Sequence, residues 1–302
     1  MSVVVIFLIF ALSFFFTYKK LWPLNTASVL SVIVVKIAAP SLAAVSIYDH
    51  FTPELIRQSV FHLLIIVIYM CLLFLTGKIF SKAFRLSEGK KHVFEVNFMF
   101  SNAIFIGLPI NEIVFGPKAL PYLFVFYLVS LSLFWSVGAY ELAKASPNKP
   151  EGFSLKKIVN PGFAGVIIGC LLVETELTLP GVLDSALRYT SALCVPLSLL
   201  VIGSNLVFFA HGIPRIYKDE WAVLGAKFII GPLYMLALLK IFGVDGLAFK
   251  VLMLTSSMPC HMQTSILAEY YEVESAYASK LVSISTLASL ITIPVFATLL
   301  LR

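Results

Sequence analysis

Read from one charged residue to the next, the chain divides into apolar runs close to the length that crosses the hydrocarbon core of a bilayer, about 20 residues. They cover residues 2–18, 26–48, 58–77, 94–116, 119–140, 160–173, 189–210, 221–239, 251–268 and 281–301. Ten runs predict ten transmembrane helices and an all-α membrane protein. The sixth run is short, and the second and eighth each enclose one lysine, Lys36 and Lys227.

The longest polar connection, 141–159, contains Ser146-Pro147-Asn148-Lys149-Pro150-Glu151-Gly152, a turn-rich linker. It separates a first half, 1–140, from a second, 160–302, with five runs in each. An odd number of spans forces the halves into opposite orientations, so a repeat between them is an inverted one. Matching prolines support the repeat. Pro40 interrupts the second run and Pro196 the seventh, while Gly107-Leu108-Pro109 breaks the fourth and Met258-Pro259 the ninth. Paired interruptions in corresponding spans point to a transporter binding site.

Composition agrees with a bilayer as solvent. Of 302 residues, 60% are hydrophobic and 13% charged, against about 25% charged in soluble domains, and the mean hydropathy is +0.97. The net charge of +6 does not indicate nucleic acid, because the basic residues sort by membrane side. With the N-terminus outside, the cytoplasmic loops hold Lys19, Lys20, Lys78, Lys82, Arg85, Lys90, Lys91, Lys144, Lys149, Lys156, Lys157, Arg215, Lys218 and Lys280. The other side holds Arg57, Lys118, Arg188, Lys240, Lys250 and Arg302. Fourteen against six places both termini on the extracytoplasmic side of a cell membrane by the positive-inside rule. Lys19 and Lys20 follow the first apolar run, where a signal peptide would carry its charge before it, so that run reads as a retained helix. Cys71, Cys170, Cys194 and Cys260 lie singly in apolar runs and read as packing residues, with no metal site.

The two most polar mid-membrane stretches coincide with the fourth and ninth breaks. Asn97, Ser101 and Asn102 precede Pro109; Thr255, Ser256, Ser257, His261, Gln263, Thr264 and Ser265 surround Pro259. Two broken helices crossing there would aim half-helix N-termini at the midplane, where their partial positive charge favours an anion. Ser101, Asn102, Gly107, Pro109, Pro259, His261 and Gln263 are therefore the candidate binding residues. Lys36, four residues before Pro40, either attracts the anion or snorkels; Lys227 is read as snorkelling to the cytoplasmic face. His261 is a candidate for carrying charge or a coupled proton. Glu95 and Glu112 sit near the ends of the fourth span, so no central carboxylate marks a sodium or proton site.

Asn102-Ala-Ile-Phe-Ile-Gly107-Leu-Pro109-Ile110, followed by Phe115-Gly116-Pro-Lys-Ala119-Leu120, resembles the fourth helix of the auxin efflux carrier family. Asn160-Pro161, Leu179-Pro180, Pro196 to Leu206, Met258-Pro259 to Tyr270, Ala278-Ser279 and Thr292-Ile-Pro294 are similar to its second half, in order. The resemblance implies ten helices in two inverted five-helix repeats, with broken helices 4 and 9 crossing as in sodium/proton-antiporter-like and bile-acid-symporter-like folds. It implies a scaffold from the first two helices of each repeat and a mobile domain from the rest, working as an elevator. It also implies a secondary transporter of a small organic anion, a carboxylate such as malonate or malate or an auxin-like aromatic acid. No cofactor is expected; the coupling ion is a proton, sodium or none, with the membrane potential as the alternative drive. The partners are the substrate, the lipid bilayer and a second copy in a homodimer. Ser101 stands where the family has glycine, His261 where it has a small residue and Gln263 where it has asparagine.

Other functions fit less well. An intramembrane enzyme needs a Ser–His or paired-aspartate constellation or an H-E-x-x-H motif, and none is recognisable. A channel or a sensing receptor is the alternative reading, but a filter sequence and an appended signalling domain are both missing. The topology is open to direct test. Asn148→Cys and Thr178→Cys, each alone in a background without the four native cysteines, should be labelled by an impermeant maleimide from opposite sides of the membrane; labelling from one side removes the inverted arrangement.

Overall fold

The computed structural model describes residues 3–23, 25–147, 161–209 and 215–301. Among the described residues the chain is helical, and its one extended pairing is an antiparallel bridge between Ser101 and Cys260. The helices are α1 (Val3–Tyr18), α2 (Thr26–His50), α3 (Pro53–Ala83), α4 (Glu88–Met99), α5 (Ala103–Phe115), α6 (Pro117–Lys144), α7 (Pro161–Glu174), α8 (Gly181–Asn205), α9 (Lys218–Ile241), α10 (Gly246–Ser256), α11 (Gln263–Tyr270) and α12 (Ser275–Leu301). Six of these, α2, α3, α6, α8, α9 and α12, are long and apolar enough to cross a membrane. Residues 8–18 of α1, with α5, α7 and α10, form shorter apolar helices.

The surface is that of a protein dissolved in lipid. Leu75, Ile79, Ile229, Leu233 and Ile291 are exposed, while Asn97, Ser101, Asn102, Ser256, Ser257 and Ser285 are buried. Water would select the reverse. Helices satisfy their own backbone groups, which is why they are the form such a chain takes in hydrocarbon.

Prolines account for most of the departures from regular helix. Wide π-turns occupy Val34–Ala38, Ala103–Gly107 and Ala226–Ile230, and each ends two residues before a proline: Pro40, Pro109 and Pro232. Proline has no N–H, and its ring strikes the carbonyl four residues back. Widening the preceding turn moves that carbonyl aside. The residues just before two of these prolines, Ala39 and Gly231, accordingly donate five residues back, to Val34 and Ala226. The helix therefore continues through Pro40, which is not the break expected there. At Pro196 the interruption is confined to one residue, Leu193, ahead of the proline. A fourth π-turn, Phe134–Gly138, ends on a glycine.

The fourth span also breaks earlier than expected. α4 stops at Met99, and the interruption is Phe100–Asn102, not Pro109, whose missing donor the π-turn absorbs. The eighth and seventh expected spans begin later than α9 and α8 do; α8 starts at Gly181 and so includes Asp184 and Arg188. Of the expected linker 141–159, residues 141–144 still belong to α6, and 148–159 lie outside the described residues.

Two compact units divide the chain, and each draws helices from both halves. The first contains α1, α2, the opening of α3 to His62, α5 from Ile104, α6 to Leu128, α7 and α8. Here α1 packs along α8 and α2 along α7. Glycines make these approaches possible. A Cβ on Gly165 would lie 2.3 Å from the Pro40 carbonyl oxygen, and one on Gly203 would lie 2.5 Å from that of Phe10. Small residues at helix contacts are how membrane helices gain packing where lipid offers no hydrophobic drive. Beside Gly203, Ser13 on α1 donates to the Leu200 carbonyl and bonds the Ser204 hydroxyl at 2.9 Å. On the exposed rim, Arg188 holds Asp49 with two bonds, 2.8 and 2.9 Å long, and pairs with Asp184.

The second unit contains the rest of α3, α4, the end of α6 and α9 to α12. α12 is its central post, packed against α4, α9, α10 and α11.

Gly165→Ala should lower the melting temperature of the purified protein, since the new methyl meets backbone; overpacking of this kind costs about 1–3 kcal/mol. Gly181→Ala, where a Cβ meets nothing within 4 Å, is the matched control and should leave the melting temperature unchanged.

Candidate functional site

After Met99 the backbone of the second unit turns extended, Phe100 having φ −94° and ψ 134°. The three residues Phe100–Asn102 then run antiparallel to Pro259–His261. The Asn102 N–H donates to the Pro259 carbonyl at 2.8 Å, the His261 N–H donates to the Phe100 carbonyl at 3.2 Å, and Ser101 lies opposite Cys260. Neither break could stand alone in a membrane, because its peptide groups would go unbonded. Together they satisfy each other. Pro259 fits a position from which no N–H is asked, and the Cys260 N–H is met at 3.1 Å by the Ser285 hydroxyl of α12.

A lysine completes the crossing. Lys227 Nζ donates to the carbonyls of Phe98 at 3.0 Å and Phe100 at 2.8 Å, with the Ser101 hydroxyl at 3.4 Å. Its side chain is 1% exposed, so the expectation that it snorkels to the cytoplasmic face is corrected. The carbonyls that end α4 carry the partial negative charge of a helix C-terminus, and they hold the ammonium inside. At the end of α10, Tyr69 of α3 takes the corresponding position, its hydroxyl 3.4 Å from the Ser256 carbonyl.

Of the candidate binding residues, Ser101, Asn102, Pro259 and His261 are brought together by this short ladder, and all four are buried. The His261 ring rests on Phe134, centroids 4.5 Å apart, and its Nδ1 has no protein partner. Gln263 opens α11, half-buried, with its Oε1 also without a partner, as is the buried hydroxyl of the next residue, Thr264. Three neighbouring side chains thus present polar atoms that the described protein does not bond. Buried polar groups ordinarily are bonded.

Gly107 and Pro109 are not part of the ladder. They lie in the first unit, where the Gly107 carbonyl accepts from Asn111 Nδ2 at 2.8 Å and Pro109 is packed in α5. Lys36 is an exposed residue of the α2 π-turn, also in the first unit.

Buried carboxylates whose partners the sequence does not reveal gather along α4 in the second unit. Glu141 accepts from His92 Nδ1 at 2.9 Å and from Lys144 at 3.2 Å, and Lys78 lies 3.5 Å from it and 3.6 Å from Glu95. Ser81 donates to Glu95 at 2.6 Å. The side-chain ligand atoms of His92, Glu95 and Glu141 lie within 4.8 Å of one another, but the two lysines already share these carboxylates, which makes an ion-pair network. Close along the same helix ends, Asp219 pairs with Lys90 at 2.9 Å and accepts from Tyr277 at 2.7 Å, and Glu220 pairs with Lys280 at 2.7 Å. Lys227 was detectable as a charge inside an apolar run, a functional candidate by default; Tyr69 and Ser285 carried no signal.

An apolar helical exterior, several membrane-length helices and an interior crossing of broken ones define a multi-pass membrane protein of the transporter class. Sequence comparison narrows this. A profile of the family described as membrane transport protein matches residues 1–297. The chain is similar to an uncharacterized transporter of Methanothermobacter thermautotrophicus, 26% identical over 279 residues, covering 91% of this chain and 89% of the relative. It is also 26% identical over 318 residues to an uncharacterized transporter of Methanocaldococcus jannaschii, covering 100% and 99%. The chain belongs to the membrane transport protein family, which is that of the auxin efflux carriers.

The ladder makes one stability prediction. Ser285→Ala leaves the buried Cys260 N–H without its acceptor, a loss of about 1–3 kcal/mol. Ser289→Ala, whose hydroxyl bonds within its own helix, to Thr286, should cost less. Melting temperatures of the two variants in one detergent decide it.

Proposed function

We propose that this protein is a secondary active transporter of a small organic anion, a carboxylate, bound beside the ladder in the second unit. The observation that carries the reading is the coincidence, in one place, of the Ser101 hydroxyl, the Asn102 amide, the Lys227 ammonium, the unbonded His261 Nδ1 and Thr264 hydroxyl, and the half-buried Gln263, whose amide nitrogen can donate. An anion there gains hydrogen bonds from side chains, the N-terminal dipole of α11 and the field of a nearby cation. Apolar surroundings strengthen each of these terms.

The division of the chain supports an elevator. α1, α2, α7 and α8, the first two helices of each half, share one unit, which also takes α5 and α6 to Leu128, and the helices that build the ladder share the other. Motion of the second unit against the first would carry the bound anion across the membrane. Reciprocal pairing supports the inverted repeat: α1 with α8 and α2 with α7, and likewise Tyr69 on the end of α10 and Lys227 on the end of α4. A two-fold axis in the membrane plane would generate such exchanges. The buried ion pairs at the ends of α3, α4, α6, α9 and α12 then lie on the cytoplasmic side, beside the basic loops, with both termini opposite.

The test is a panel of dicarboxylates and aromatic acids added to the purified protein, read as a rise in melting temperature, because a ligand of the native state stabilises it by mass action. At least one carboxylate should raise it, and saturable counterflow of that compound in liposomes should follow, separating a carrier from a channel or a receptor. Asn102→Ala and Gln263→Ala should each weaken its binding by about one to two decades, the worth of a hydrogen bond to a charged group. A carboxylate that binds both variants as it binds the parent would move the site elsewhere.

A further inference from the structure

Lys227 raises a question that anion binding does not answer. An ammonium has three N–H donors, and the structure gives it three oxygens: the Phe98 and Phe100 carbonyls and the Ser101 hydroxyl, at 3.0, 2.8 and 3.4 Å. Carbonyls only accept, so two donors are committed outright and the hydroxyl takes the third. No donor remains for a substrate. The lysine therefore acts on the protein itself.

Its ligand set has a distinct chemistry. Two main-chain carbonyls and a hydroxyl, all neutral, at the C-terminal end of a broken helix, are the donors with which proteins hold a monovalent cation. No carboxylate lies among them to form an ion pair. Burying an ammonium is costly unless its hydrogen bonds are complete and a negative field meets it; the end of α4 supplies that field. At the matching end of α10 it is the neutral Tyr69 hydroxyl that meets the Ser256 carbonyl, so the group at that end carries no charge.

We propose that Lys227 is a resident cation of the crossing: its ammonium fills, as part of the chain, the place a dissolved sodium or potassium ion would take in holding the extended segment Phe100–Asn102 to the end of α4. Assembly of the site then needs no inorganic cation at that position. Lys227 is a positioning residue, acting on Ser101 and Asn102 through the backbone it holds.

The experiment uses the purified full chain without any substrate, so its outcome is independent of the anion reading. Lys227→Ala removes three methylene groups and the ammonium, the outline of propylammonium. Melting temperatures are measured in choline chloride, sodium chloride, potassium chloride and propylammonium chloride at equal ionic strength, with the test cation present from membrane extraction onward. In choline the variant should melt roughly 5–10 °C below the parent. Propylammonium should restore most of that loss, potassium or sodium part of it, and neither should act comparably on the parent. Lys227→Gln keeps two N–H donors without the charge and should stay destabilised in all four salts. The proposal is overturned if Lys227→Gln melts with the parent, since hydrogen bonding without charge then suffices. It is equally overturned if Lys227→Ala responds to the cations no more than the parent does, whether it is stable or collapsed, since the side chain then serves only as packing.

Discussion

The core of the second unit depends on one rule of hydrocarbon: a peptide group exposed by breaking a helix must find a partner in the protein. Two breaks, Phe100–Asn102 and Pro259–His261, meet that demand by bonding to each other, with the Ser285 hydroxyl and the Lys227 ammonium supplying the donors and acceptors left over. The polar side chains of the candidate site are where they are because the ladder places them there. Ser101 and Asn102 would point along an ordinary helix face if α4 continued. The same ladder ties together α4, α9, α10 and α12, so the unit that holds the site is built around it.

The sequence made much of this legible where the signal was local. Long apolar runs mark membrane helices by composition alone, and Met258-Pro259, set among seven polar residues, marks the second break. The first break was harder. Proline at position 109 drew attention to itself, yet a π-turn accommodates it, and the interruption falls at Phe100–Asn102, which holds neither proline nor glycine. Its extended form is imposed by a partner strand far along the chain. Lys227 shows the same limit. Counted by distance from the nearest helix end it should reach water, and only the fold reveals the carbonyls that draw it inward. Glu95 and Glu141 also looked unremarkable singly, because their shared lysines become visible only when α3, α4 and α6 are assembled.

The first unit is organised differently. Its helices are joined by close backbone contact at Gly165, Gly169 and Gly203, with the Ser13–Ser204 bond beside the last and the Arg188–Asp49 pair at the rim. A contact with no side chain between two backbones has little room to slide. One unit is thus organised by hydrogen bonds that specify a small polar place, and the other chiefly by steric fit along whole helices.

The π-turns have a consequence for how such a protein tolerates change. Each adds a residue to a helix without adding a turn, and so shifts the phase of every side chain beyond it by about 100°, the angle one residue subtends in an α-helix. In α9 the shift falls between Lys227 and the later half that begins at Gly231-Pro232. Deleting one residue there while replacing Pro232 would give a more regular helix and a worse protein, because the lysine and the far end could no longer face their own neighbours together. Insertions of this sort behave as phase settings, and where a proline follows they can be altered only in pairs: the proline and its extra residue stand or fall as one character.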